Sequence, residues 1–497
     1  MLGSEGIFRK RYIDGNMKIT VSIPVKISKK IFKIDKSFST KSEITKRTVE
    51  VSNAFGIGVD EAKNFEIFKD FVVDINPKDI VYITGESGSG KSVLLRELAN
   101  KLSCTDEFGK VIRDSDLKID DNEILVEGVG KDTKDALNIL SMAGLNEAFL
   151  FLRHYKELSD GQRYRYKIAK MLDSKKNTWV MDEFCSTLDR ITAKVVAYCV
   201  QKVARKQGKT VLVATTHDDL LYDLNPNIHI EKRFGYDFRI NYYKYEPRDC
   251  SLLKDILIEE GSVKDYKKLM HFHYRSSSLA FTKKIYVAKI KDELVGIIVY
   301  GSPYFNLKAR NYALPQYSGK ITKDKMVIIN RDFLRIWRVI VLPKYRSIGL
   351  GVKLVKETLP LVNVPYVETI AIMAKYNPFF EKAGMIRINA PETERDRSYR
   401  KNLERLENLG FNLDLLSSKK HSLMIINRLR EDQIEELKSI IHKNFMAKKF
   451  RGNALLKSIE QDDKDAMAEA LKRHRLNPVY LLWKNPAFKE YPEPFYM

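Results

Sequence analysis

The sequence has little of what disulfide-rich, secreted or membrane-spanning proteins require. Its 497 residues include only four cysteines, and no two of them form a Cys-X-X-Cys pair. This spacing excludes a disulfide framework and gives no zinc-site pattern. No run approaches the ~20 apolar residues of a membrane helix, and the first residues, MLGSEGIFRKRYIDG, lack the apolar segment of a secretory signal. We therefore expect a cytoplasmic protein with no membrane partner.

Acidic residues are also in deficit, with 65 Asp and Glu against 87 Lys and Arg and a net charge of +22. The excess is uneven: residues 1–50 carry +7, 51–250 carry −2, 251–387 carry +13 and 388–497 carry +4. RNA or DNA as a partner would explain a basic excess confined to part of a chain. A generally lysine-rich composition explains it equally well, so the charge alone leaves both interpretations open.

Periodicity and composition divide the chain into four predicted segments. Residues 1–44 form a basic, β-rich arm, and strands alternate with helices over 45–249 and again over 250–387. Residues 388–497 have a charged, mostly helical pattern. The junction near 245–252 is short, so we expect the two α/β blocks to pack together.

The first chemical motif is a glycine-rich loop, GESGSGKS, at residues 85–92. It lies between an apolar strand and an apolar helix, which is the context of a phosphate-binding loop. Glycines let backbone N–H groups close around phosphates at a helix N-terminus. Lys91 would reach the β- and γ-phosphates of ATP, and Ser92 would ligate Mg²⁺. The predicted phosphate contacts are Gly85, Ser87, Gly88, Gly90, Lys91 and Ser92.

Two further motifs follow this loop. Asp182 and Glu183 end an apolar strand, where Asp182 fits a Mg²⁺-holding aspartate and Glu183 fits a base that polarises the attacking water. About twenty residues upstream, LSDGQ at 158–162 opens a predicted helix. Ser159 and the Gly161 amide could therefore bind a γ-phosphate at the positive end of that helix.

These motifs, in this order, resemble the ABC-type ATPases over about 200 residues. LSDGQ is similar to the family signature LSGGQ, with Asp160 as a departure. The resemblance implies roles for Gln162 in the signature, Asp189 in a D-loop, His217 as a γ-phosphate sensor and Phe55 as an adenine-stacking aromatic. In this family the signature of one subunit closes on the phosphate loop of another. One copy per chain therefore implies a homodimer with two sandwiched ATP molecules.

One element of the family is missing from the sequence. There is no glutamine between Lys91 and Ser159, so the Q-loop, which links Mg²⁺ to a transmembrane partner, is absent or replaced. Glu127 is a candidate replacement. We therefore expect a module closer in role to the ABC ATPases of nucleic-acid maintenance and translation than to those of transporters.

The second α/β block contains the turn PKYR at residues 343–346. Its Arg346 begins the pattern Arg346-X-X-Gly349-X-Gly351, which leads into an amphipathic helix. Two glycines at this spacing let the backbone approach a pyrophosphate at a helix N-terminus. The pattern resembles motif A of the GNAT acyltransferases, and YNPFFEKAGM at 376–385 is similar to their motif B, over about 130 residues in all. The resemblance implies a splay between the motif A strand and the next strand, which admits the thioester of acetyl-CoA. It implies acetyl-CoA contacts at Val339, Val341, Arg346, Ser347, Gly349, Gly351 and Asn377.

Acyl transfer needs a base for the acceptor and an acid for the leaving thiolate. The GNAT family often places a tyrosine where this chain has Phe380, so the acid is either lost or supplied by Tyr376. Glu368 and His273 are the candidate bases. Alternatively, Glu368 pairs with a neighbouring arginine and His273 is a packed polar residue.

The predicted fold is therefore α/β, with a P-loop ABC-type nucleotide-binding domain, a GNAT acyltransferase domain and a mostly helical C-terminal region. Residues 303–346 hold ten Lys and Arg against two acids, with interleaved aromatics, a pattern that suits splayed bases as well as a structured loop. The architecture resembles an archaeal and viral family of ABC-type ATPases fused to a predicted acetyltransferase, and the second block resembles phage acyltransferases that modify DNA bases.

Three hypotheses follow. The first is ATP-dependent acylation of a base amine in RNA or DNA. The second is a protein or small-molecule N-acetyltransferase regulated by an ABC dimer. The third is an ATP-gated nucleic-acid-binding module with a degenerate GNAT fold.

Overall fold

The computed structural model describes residues 10–13, 17–20, 31–40, 43–58, 63–273, 279, 281–444, 454–472 and 478–488. The strands are β1 (Lys10–Ile13), β2 (Met17–Thr20), β3 (Ile31–Thr40), β4 (Lys63–Asp74), β5 (Ile80–Gly85), β6 (Val111–Arg113), β7 (Thr178–Met181), β8 (Thr210–Thr215), β9 (Ile228–Lys232), β10 (Phe238–Tyr242), β11 (Ile256–Glu260), β12 (Thr282–Ile290), β13 (Glu293–Gly301), β14 (Phe333–Val341), β15 (Tyr366–Ala371), β16 (Ile386–Ile388) and β17 (Val479–Lys484). The helices are α1 (Lys46–Phe55), α2 (Lys91–Ser103), α3 (Thr133–Met142), α4 (Ala148–Phe151), α5 (Asp160–Asp173), α6 (Arg190–Gln207), α7 (Leu221–Leu224), α8 (Val263–Leu269), α9 (Lys308–Ala313), α10 (Lys323–Asp332), α11 (Leu350–Thr358), α12 (Phe379–Lys382), α13 (Glu394–Asn408), α14 (Lys419–Ile426), α15 (Glu431–Asn444), α16 (Ala454–Glu460) and α17 (Lys464–Leu471).

The chain divides into two compact units. The first comprises Met1–Leu279, Ile285–Ile298 and Arg338–Leu354, and the second comprises Ala280–Lys284, Val299–Trp337 and Val355–Met497. Boundaries fall inside β12, β13, β14 and α11, so they do not coincide with the segment boundaries predicted from the sequence.

The first unit is built on a six-stranded sheet with the order β10-β9-β5-β8-β7-β6. Strands β6 to β9 run parallel with β5, and only β10 is antiparallel. The central strands are continuous apolar runs because both faces of the sheet are covered. One core lies between the sheet and α3, α5 and α6, and a second lies between the sheet, α2 and the β3–β4 ribbon.

The predicted N-terminal arm is not a separate element. β3 pairs antiparallel with β4 from Ile31–Asp74 to Thr40–Lys63, and its Phe32 and Ile34 are buried in the second core of the first unit. The boundary expected at residue 44 therefore separates two paired strands. Residues 1–9, 14–16, 21–30 and 41–42 of the arm lie outside the described residues.

In the second unit, the strands are ordered β14-β15-β17-β16. In the first unit, β11 pairs antiparallel with β12. In the second unit, β14 pairs parallel with β15, but only from Phe333–Tyr366 to Arg335–Glu368. β17 pairs antiparallel with both β15 and β16.

This position of β17 corrects the boundary predicted at residue 388. The last described strand returns to the sheet, and its Leu481 and Leu482 are buried there, so residues 388–497 are not only a helical extension. The predicted helices are present between the two strands: α13, α14, α15, α16 and α17 contribute to a core of their own. Within the described residues, no helix is both long and apolar enough to cross a membrane.

Candidate functional sites

The glycine-rich loop connects β5 to α2 in a shape that only glycine permits at two positions. A Cβ on Gly85 would lie 2.0 Å from the Lys232 carbonyl oxygen. Gly90 has φ +98°, and a Cβ there would lie 2.5 Å from Ile67 Cγ2. The loop therefore packs closely against its surroundings. Ser87 and Gly88 lie exposed on the loop, and Ser92 is half-buried in the first turn of α2.

Lys91 is held at the base of this loop. Its Nζ donates a hydrogen bond of 2.7 Å to the Glu86 carbonyl oxygen. Burial lowers the pKa of Lys91, and the nearby charges of Asp182 and Glu183 oppose that shift. The structure therefore brings the loop lysine and the two predicted catalytic carboxylates into one electrostatic neighbourhood.

Parallel pairing explains why these groups meet. β5, β7 and β8 are neighbours, and the carboxyl ends of parallel strands lie at the same edge of a sheet. The phosphate loop follows β5, Asp182 and Glu183 follow β7, and His217 follows β8 shortly after its end. Glu183 has φ +47°, an uncommon conformation for a residue with a side chain, and its N–H donates 2.9 Å to Asp182 Oδ1.

The same edge holds a carboxylate that the motif search missed. Asp114 directly follows β6, which pairs parallel with the Asp182 strand β7. Burial and the neighbouring charge of Asp182 raise the pKa of Asp114 to about 6, while hydrogen bonds from the backbone of Ser115 and Asp182 lower it in part. Asp114 lies in the interval between Lys91 and Ser159 that contains no glutamine, and it is therefore a second candidate to replace the Q-loop residue. Glu127 instead lines a surface groove with Val126, Lys131, Leu137, Phe151 and Leu152.

Oxygen ligands at this edge fit Mg²⁺. The described residues contain no group of three or more His, Cys, Asp or Glu side chains that could enclose a metal without other ligands. Mg²⁺ is commonly held by one or two carboxylates together with phosphate oxygens and water. Ser92 and Asp182 would hold it directly or through water, and Asp114 would orient one of those waters.

We expect Asp114→Ala to lower Mg²⁺-dependent ATP hydrolysis about tenfold or more, because removing a partner of a metal's ligands typically has an effect of ~10–100-fold. Asp114→Gln should retain more activity, since an amide oxygen can still accept from a bound water. Hydrolysis rates against Mg²⁺ concentration would measure the effect. Asp116→Asn, two residues further on and exposed, is the matched control, and an equal loss in that variant would contradict the role of Asp114.

The signature segment caps α5 as expected. Ser159 is the N-cap residue, and its N–H donates 3.1 Å to Gln162 Oε1. Gly161 lies beside the predicted D-loop, because a Cβ there would be 3.6 Å from Leu188 and 3.8 Å from the Thr187 carbonyl oxygen. Asp189 caps α6 by accepting 3.0 Å from the Thr192 N–H. The two predicted ATP-contacting segments are therefore neighbours in one chain.

Phe55 lies at the C-terminal end of α1 and is 77% exposed. A second exposed aromatic lies beside the phosphate loop. Phe234, in the β9–β10 connection, is 60% exposed, and its Cε1 would be 3.8 Å from a Cβ on Gly88. Phe234 is therefore an additional candidate for contact with a nucleobase, with no sequence motif to indicate it.

The turn between β14 and α11 holds the glycines for which a diphosphate-binding loop is predicted. Gly349 has φ +107°, and α11 begins at the next residue. The side chains of this turn face elsewhere: Ser347 donates 2.9 Å to the Ser141 carbonyl oxygen, and Arg346 donates to the carbonyl oxygens of Asn146 and Phe272. Any contact of Arg346 and Ser347 with acetyl-CoA is therefore limited to their backbone amides. Val339 and Val341 lie on β14 immediately before the turn.

All of these hydrogen bonds except the one to Phe272 end on the segment from Ser141 to Asn146, which we call the relay loop. It connects α3 to α4 in the ATP-binding half of the first unit. Arg165 of α5 binds the same loop, since its Nη1 donates 2.8 Å to the Gly144 carbonyl oxygen while its Nε donates 3.1 Å to Gly161. The relay loop thus contacts both the signature helix and the turn before α11.

Glu368, a candidate base, is completely buried in the second unit. Its Oε1 pairs with Arg310 Nη1 at 3.1 Å, and its Oε2 accepts 2.8 Å from the Tyr480 hydroxyl. Burial raises the pKa of Glu368, and Arg310, Tyr480 and Arg335 offset part of that rise. Both oxygens are committed within the core, so the interpretation of Glu368 as the base is wrong. It pairs with an arginine, but with Arg310 rather than with Arg335 or Arg338.

The other predicted transfer residues lie nearer the surface. His273 is half-buried in the first unit, directly after Phe272. Tyr376 is half-buried and Asn377 is exposed before α12 in the second unit, and both backbone N–H groups bond to the Met373 carbonyl oxygen. Phe380 is buried against Phe379, with ring centroids 4.0 Å apart. It is therefore a packing residue.

The aromatic residues of segment 303–346 divide into two groups. Tyr317, Phe333 and Tyr345 are buried, as in a structured loop. The remainder reach the surface wholly or in part: Tyr304, Phe305, Tyr312 and Trp337. The buried rings therefore fit a structured loop, and the exposed rings fit a surface on which splayed bases could stack.

Comparison with known proteins supports an ABC-type ATP-binding cassette over part of the chain. A scan against protein-family models finds no match. The methionine import ATP-binding protein MetN of Streptococcus pyogenes serotype M28 is 26% identical over 237 residues, covering 40% of this chain and 60% of that protein. The MetN protein of serotype M4 is 28% identical over 196 residues, covering 32% of this chain and 55% of that protein.

Solved structures of similar fold include two ATP-binding cassettes. The dimeric structure of a bacterial ABC transporter cassette is 19% identical and covers 36% of this chain and 91% of its own, with a TM-score of 0.30. A dimeric post-hydrolysis cassette bound to ADP and Pi is 18% identical and covers 43% and 98%, with a TM-score of 0.31.

The chain therefore contains a region homologous to ABC-type ATP-binding cassettes, over about 40% of its length. ATP and Mg²⁺ binding is what such a cassette is expected to provide. The chain spans about 60% of the length of the curated relatives that it matches.

Proposed function

We propose that the protein is an ATP-dependent acyltransferase that moves acetyl, or a related acyl group, from CoA to a base amine of RNA or DNA. The observation that carries the proposal is the relay loop. One segment of the ATP-binding half bonds to the signature helix through Arg165 and to the diphosphate-type turn through Arg346 and Ser347. A nucleotide-dependent movement of the signature would therefore reach the site of the acyl donor.

ATP binding would close a homodimer in this proposal. Lys91 would neutralise the β- and γ-phosphates, Glu183 would polarise the attacking water, and His217 would sense the γ-phosphate. Ser159 and Gly161 of a second copy would complete the site, because a helix N-terminus attracts phosphate charge. Closure would move the signature helix of each subunit, and this movement would be passed to the relay loop through Arg165.

The acyl donor would bind at the turn before α11, with its diphosphate on the amides of residues 346–351. β14 and β15 support entry of the thioester, since their backbone pairing ends at Arg335–Glu368 and is followed only by a side-chain hydrogen bond of 3.1 Å from Thr369 Oγ1 to the Ile336 carbonyl oxygen. In the transfer, the acceptor nitrogen attacks the thioester carbonyl carbon, a C–N bond forms and the C–S bond breaks. The amine proton passes to a base, for which His273 remains the candidate, and the thiolate takes up a proton for which Tyr376 is the candidate donor.

A nucleic-acid acceptor is favoured by charge and exposed rings together. Residues 251–387 carry +13, and Tyr304, Phe305 and Tyr312 are exposed within the most basic part of that segment. Phosphates would lie on Lys and Arg while unpaired bases stack on the rings. Binding of this kind weakens steeply with salt, which a protein acceptor would not require.

Transfer of label from radiolabelled acetyl-CoA into RNA, DNA and protein, with and without ATP, tests the proposal. We expect label in nucleic acid only when ATP is present. Gly351→Leu should abolish transfer while leaving ATP hydrolysis unchanged, because a side chain in the first turn of α11 would obstruct the diphosphate. Full transfer by this variant would refute the motif A assignment, and label in protein alone would favour a protein N-acetyltransferase regulated by the ABC dimer.

One observation favours a second candidate function. Phe380 stands where the GNAT family often has its acid, and it is buried in the core. An ATP-gated nucleic-acid-binding module with an inactive acyltransferase fold would retain acetyl-CoA binding but transfer label to no acceptor. Equilibrium binding of acetyl-CoA beside the transfer assay separates this function from the first.

A further inference from the structure

The second unit encloses a group of buried charged side chains in which positive charges outnumber negative ones. Arg310 and Glu368 are 0% exposed and Arg335 is 9% exposed. Two guanidinium groups, which stay protonated at any physiological pH, thus share one carboxyl group. We call these three residues the buried arginine cluster.

The carboxyl group is already fully engaged. Glu368 binds Arg310 through one oxygen and the Tyr480 hydroxyl through the other. Arg310 also donates 2.5 Å to the Tyr304 carbonyl oxygen. Arg335 lies opposite Glu368 in the β14–β15 register, yet none of the described acidic side chains forms an ion pair with it. One positive charge of the cluster is therefore uncompensated.

Arg335 is held in place by rings rather than by acids. Its guanidinium carbon lies 3.8 Å from the ring centroid of Tyr304 and 4.5 Å from that of Trp337. Stacking of this kind fixes the plane of a guanidinium and leaves its edge N–H groups free to donate. Arg335 Nη1 is buried and has no hydrogen-bond partner within the structure. A buried, charged donor with no acceptor is costly and rare, and it indicates that a ligand supplies the acceptor.

The position of Arg335 connects this donor with acyl transfer. Arg335 and Glu368 are the last paired residues before β14 and β15 separate. Tyr304, which covers one face of the guanidinium, is itself about half exposed. A ligand at the exposed side of Tyr304 would therefore lie beside Arg335, next to the part of the sheet where the thioester is proposed to enter.

We propose that Arg335, held between Tyr304 and Trp337, binds an oxyanion of the acceptor and that this anion is a phosphate group. Guanidinium matches phosphate and carboxylate equally well in geometry. Phosphate is favoured because residues 303–346 contain ten Lys and Arg against two acids, a setting suited to a polyanion. The assignment of this phosphate to the acceptor rests on the proposed function, whereas the presence of an anion site at Arg335 does not.

Binding of inorganic phosphate, a nucleoside 5′-monophosphate and acetate to the full chain tests the site directly. We expect the monophosphate to bind more tightly than acetate. Arg335→Met, which removes the donor and keeps the length of the side chain, should weaken phosphate binding about tenfold to a hundredfold, the usual loss for a charge-assisted hydrogen bond in a buried setting. Lys323→Met, an exposed lysine of the same segment, removes one charge without touching the cluster and should change binding less than about twofold.

Stability separates a ligand site from a structural role. Because the Arg335 donor is unpaired, Arg335→Met should unfold at the same temperature as the parent or a higher one when no anion is present. Phosphate should then raise the unfolding temperature of the parent chain and not that of Arg335→Met. Arg335→Lys keeps the charge and should regain part of the phosphate effect.

Kinetics distinguish failure of this site from failure of the proposed function. Where transfer occurs, Arg335→Met should raise KM for the acceptor and leave KM for acetyl-CoA unchanged. Loss of phosphate binding in Arg335→Met, with no transfer by the parent chain to any acceptor, would uphold the site and reject the function. Phosphate binding unchanged in Arg335→Met, or an unchanged acceptor KM in an active enzyme, would overturn the site, and tighter binding of acetate than of the monophosphate would overturn its assignment to phosphate.

Discussion

Replacing Glu183 with Gln is expected to lower ATP hydrolysis by about a hundredfold or more while leaving ATP binding intact. A positioned general base typically contributes ~10²–10⁴-fold to a rate. Glutamine keeps the size and the hydrogen-bonding reach of the side chain but cannot accept the proton of the attacking water. Glutamate and glutamine have the same carbon skeleton, so we expect the backbone at residue 183 to keep its φ of +47°. Hydrolysis rates and nucleotide affinity, measured side by side, check both parts.

Two variants make this result specific. Lys91→Ala should lose ATP binding as well as hydrolysis, because the loop lysine is the charge that meets the phosphates. Glu127→Gln changes the same chemical group in a surface groove and should hydrolyse ATP at the parent rate. The proposed dimer gives a further expectation, because it requires bound ATP. Glu183→Gln should form a dimer in the presence of ATP, and Lys91→Ala should not. Hydrolysis at the parent rate by Glu183→Gln would show that another group activates the water.

The nucleotide site was predictable because its parts are local. The phosphate loop, the strand ending in Asp182 and the signature each have a short sequence pattern that fixes a backbone shape, such as the turn that requires Gly85 and Gly90. Their convergence needs only parallel order of β5, β7 and β8, which strands joined by helices adopt readily. The same reasoning predicted the glycine turn before α11.

Asp114 was missed because its role depends on pairing, not on a motif. It was sought as a glutamine, whereas the relevant fact is that β6 lies next to β7 and that a polar residue directly follows it. Phe234 was missed for a similar reason, since its contact with the phosphate loop depends on β9 lying beside β5. Side chains placed by strand neighbours rather than by chain neighbours leave little trace in a sequence.

Long-range pairing also explains the misplaced boundaries. β17 lies between β15 and β16, although 90 residues separate it from β16 along the chain. Its apolar run VYLLWK could have indicated a buried strand, but nothing local identifies the strand that it joins. Glu368 shows the same limit, because its partners Arg310 and Tyr480 come from distant segments, and only their combination reveals a core ion pair instead of a base.

Breaking the relay loop is expected to remove the dependence of acyl-donor binding on ATP. The Glu183→Gln variant, with the relay loop intact, should remain in its ATP-bound form because it does not hydrolyse ATP. Its affinity for acetyl-CoA should differ between the ATP-bound and the ATP-free state by about 5–150-fold, the usual range for coupled sites. Arg346→Met removes the hydrogen bonds to Asn146, Phe272 and Val341. The accompanying Ser347→Ala removes the bonds to the Ser141 carbonyl oxygen and to Asn146 Oδ1. The double variant should bind acetyl-CoA with nearly equal affinity in both states, as measured by calorimetry.

Coupling of this kind must act in both directions, which gives a second and independent measurement. If ATP changes the affinity for acetyl-CoA by a given factor, acetyl-CoA must change the affinity for ATP by the same factor. Both factors should fall toward one together in the relay variant. Tyr345→Phe is the control, since it lies on the same turn but loses only a 2.9 Å hydrogen bond to Glu293. Equal loss of coupling in that control would mean that the turn as a whole, rather than its contacts with the relay loop, transmits the nucleotide state.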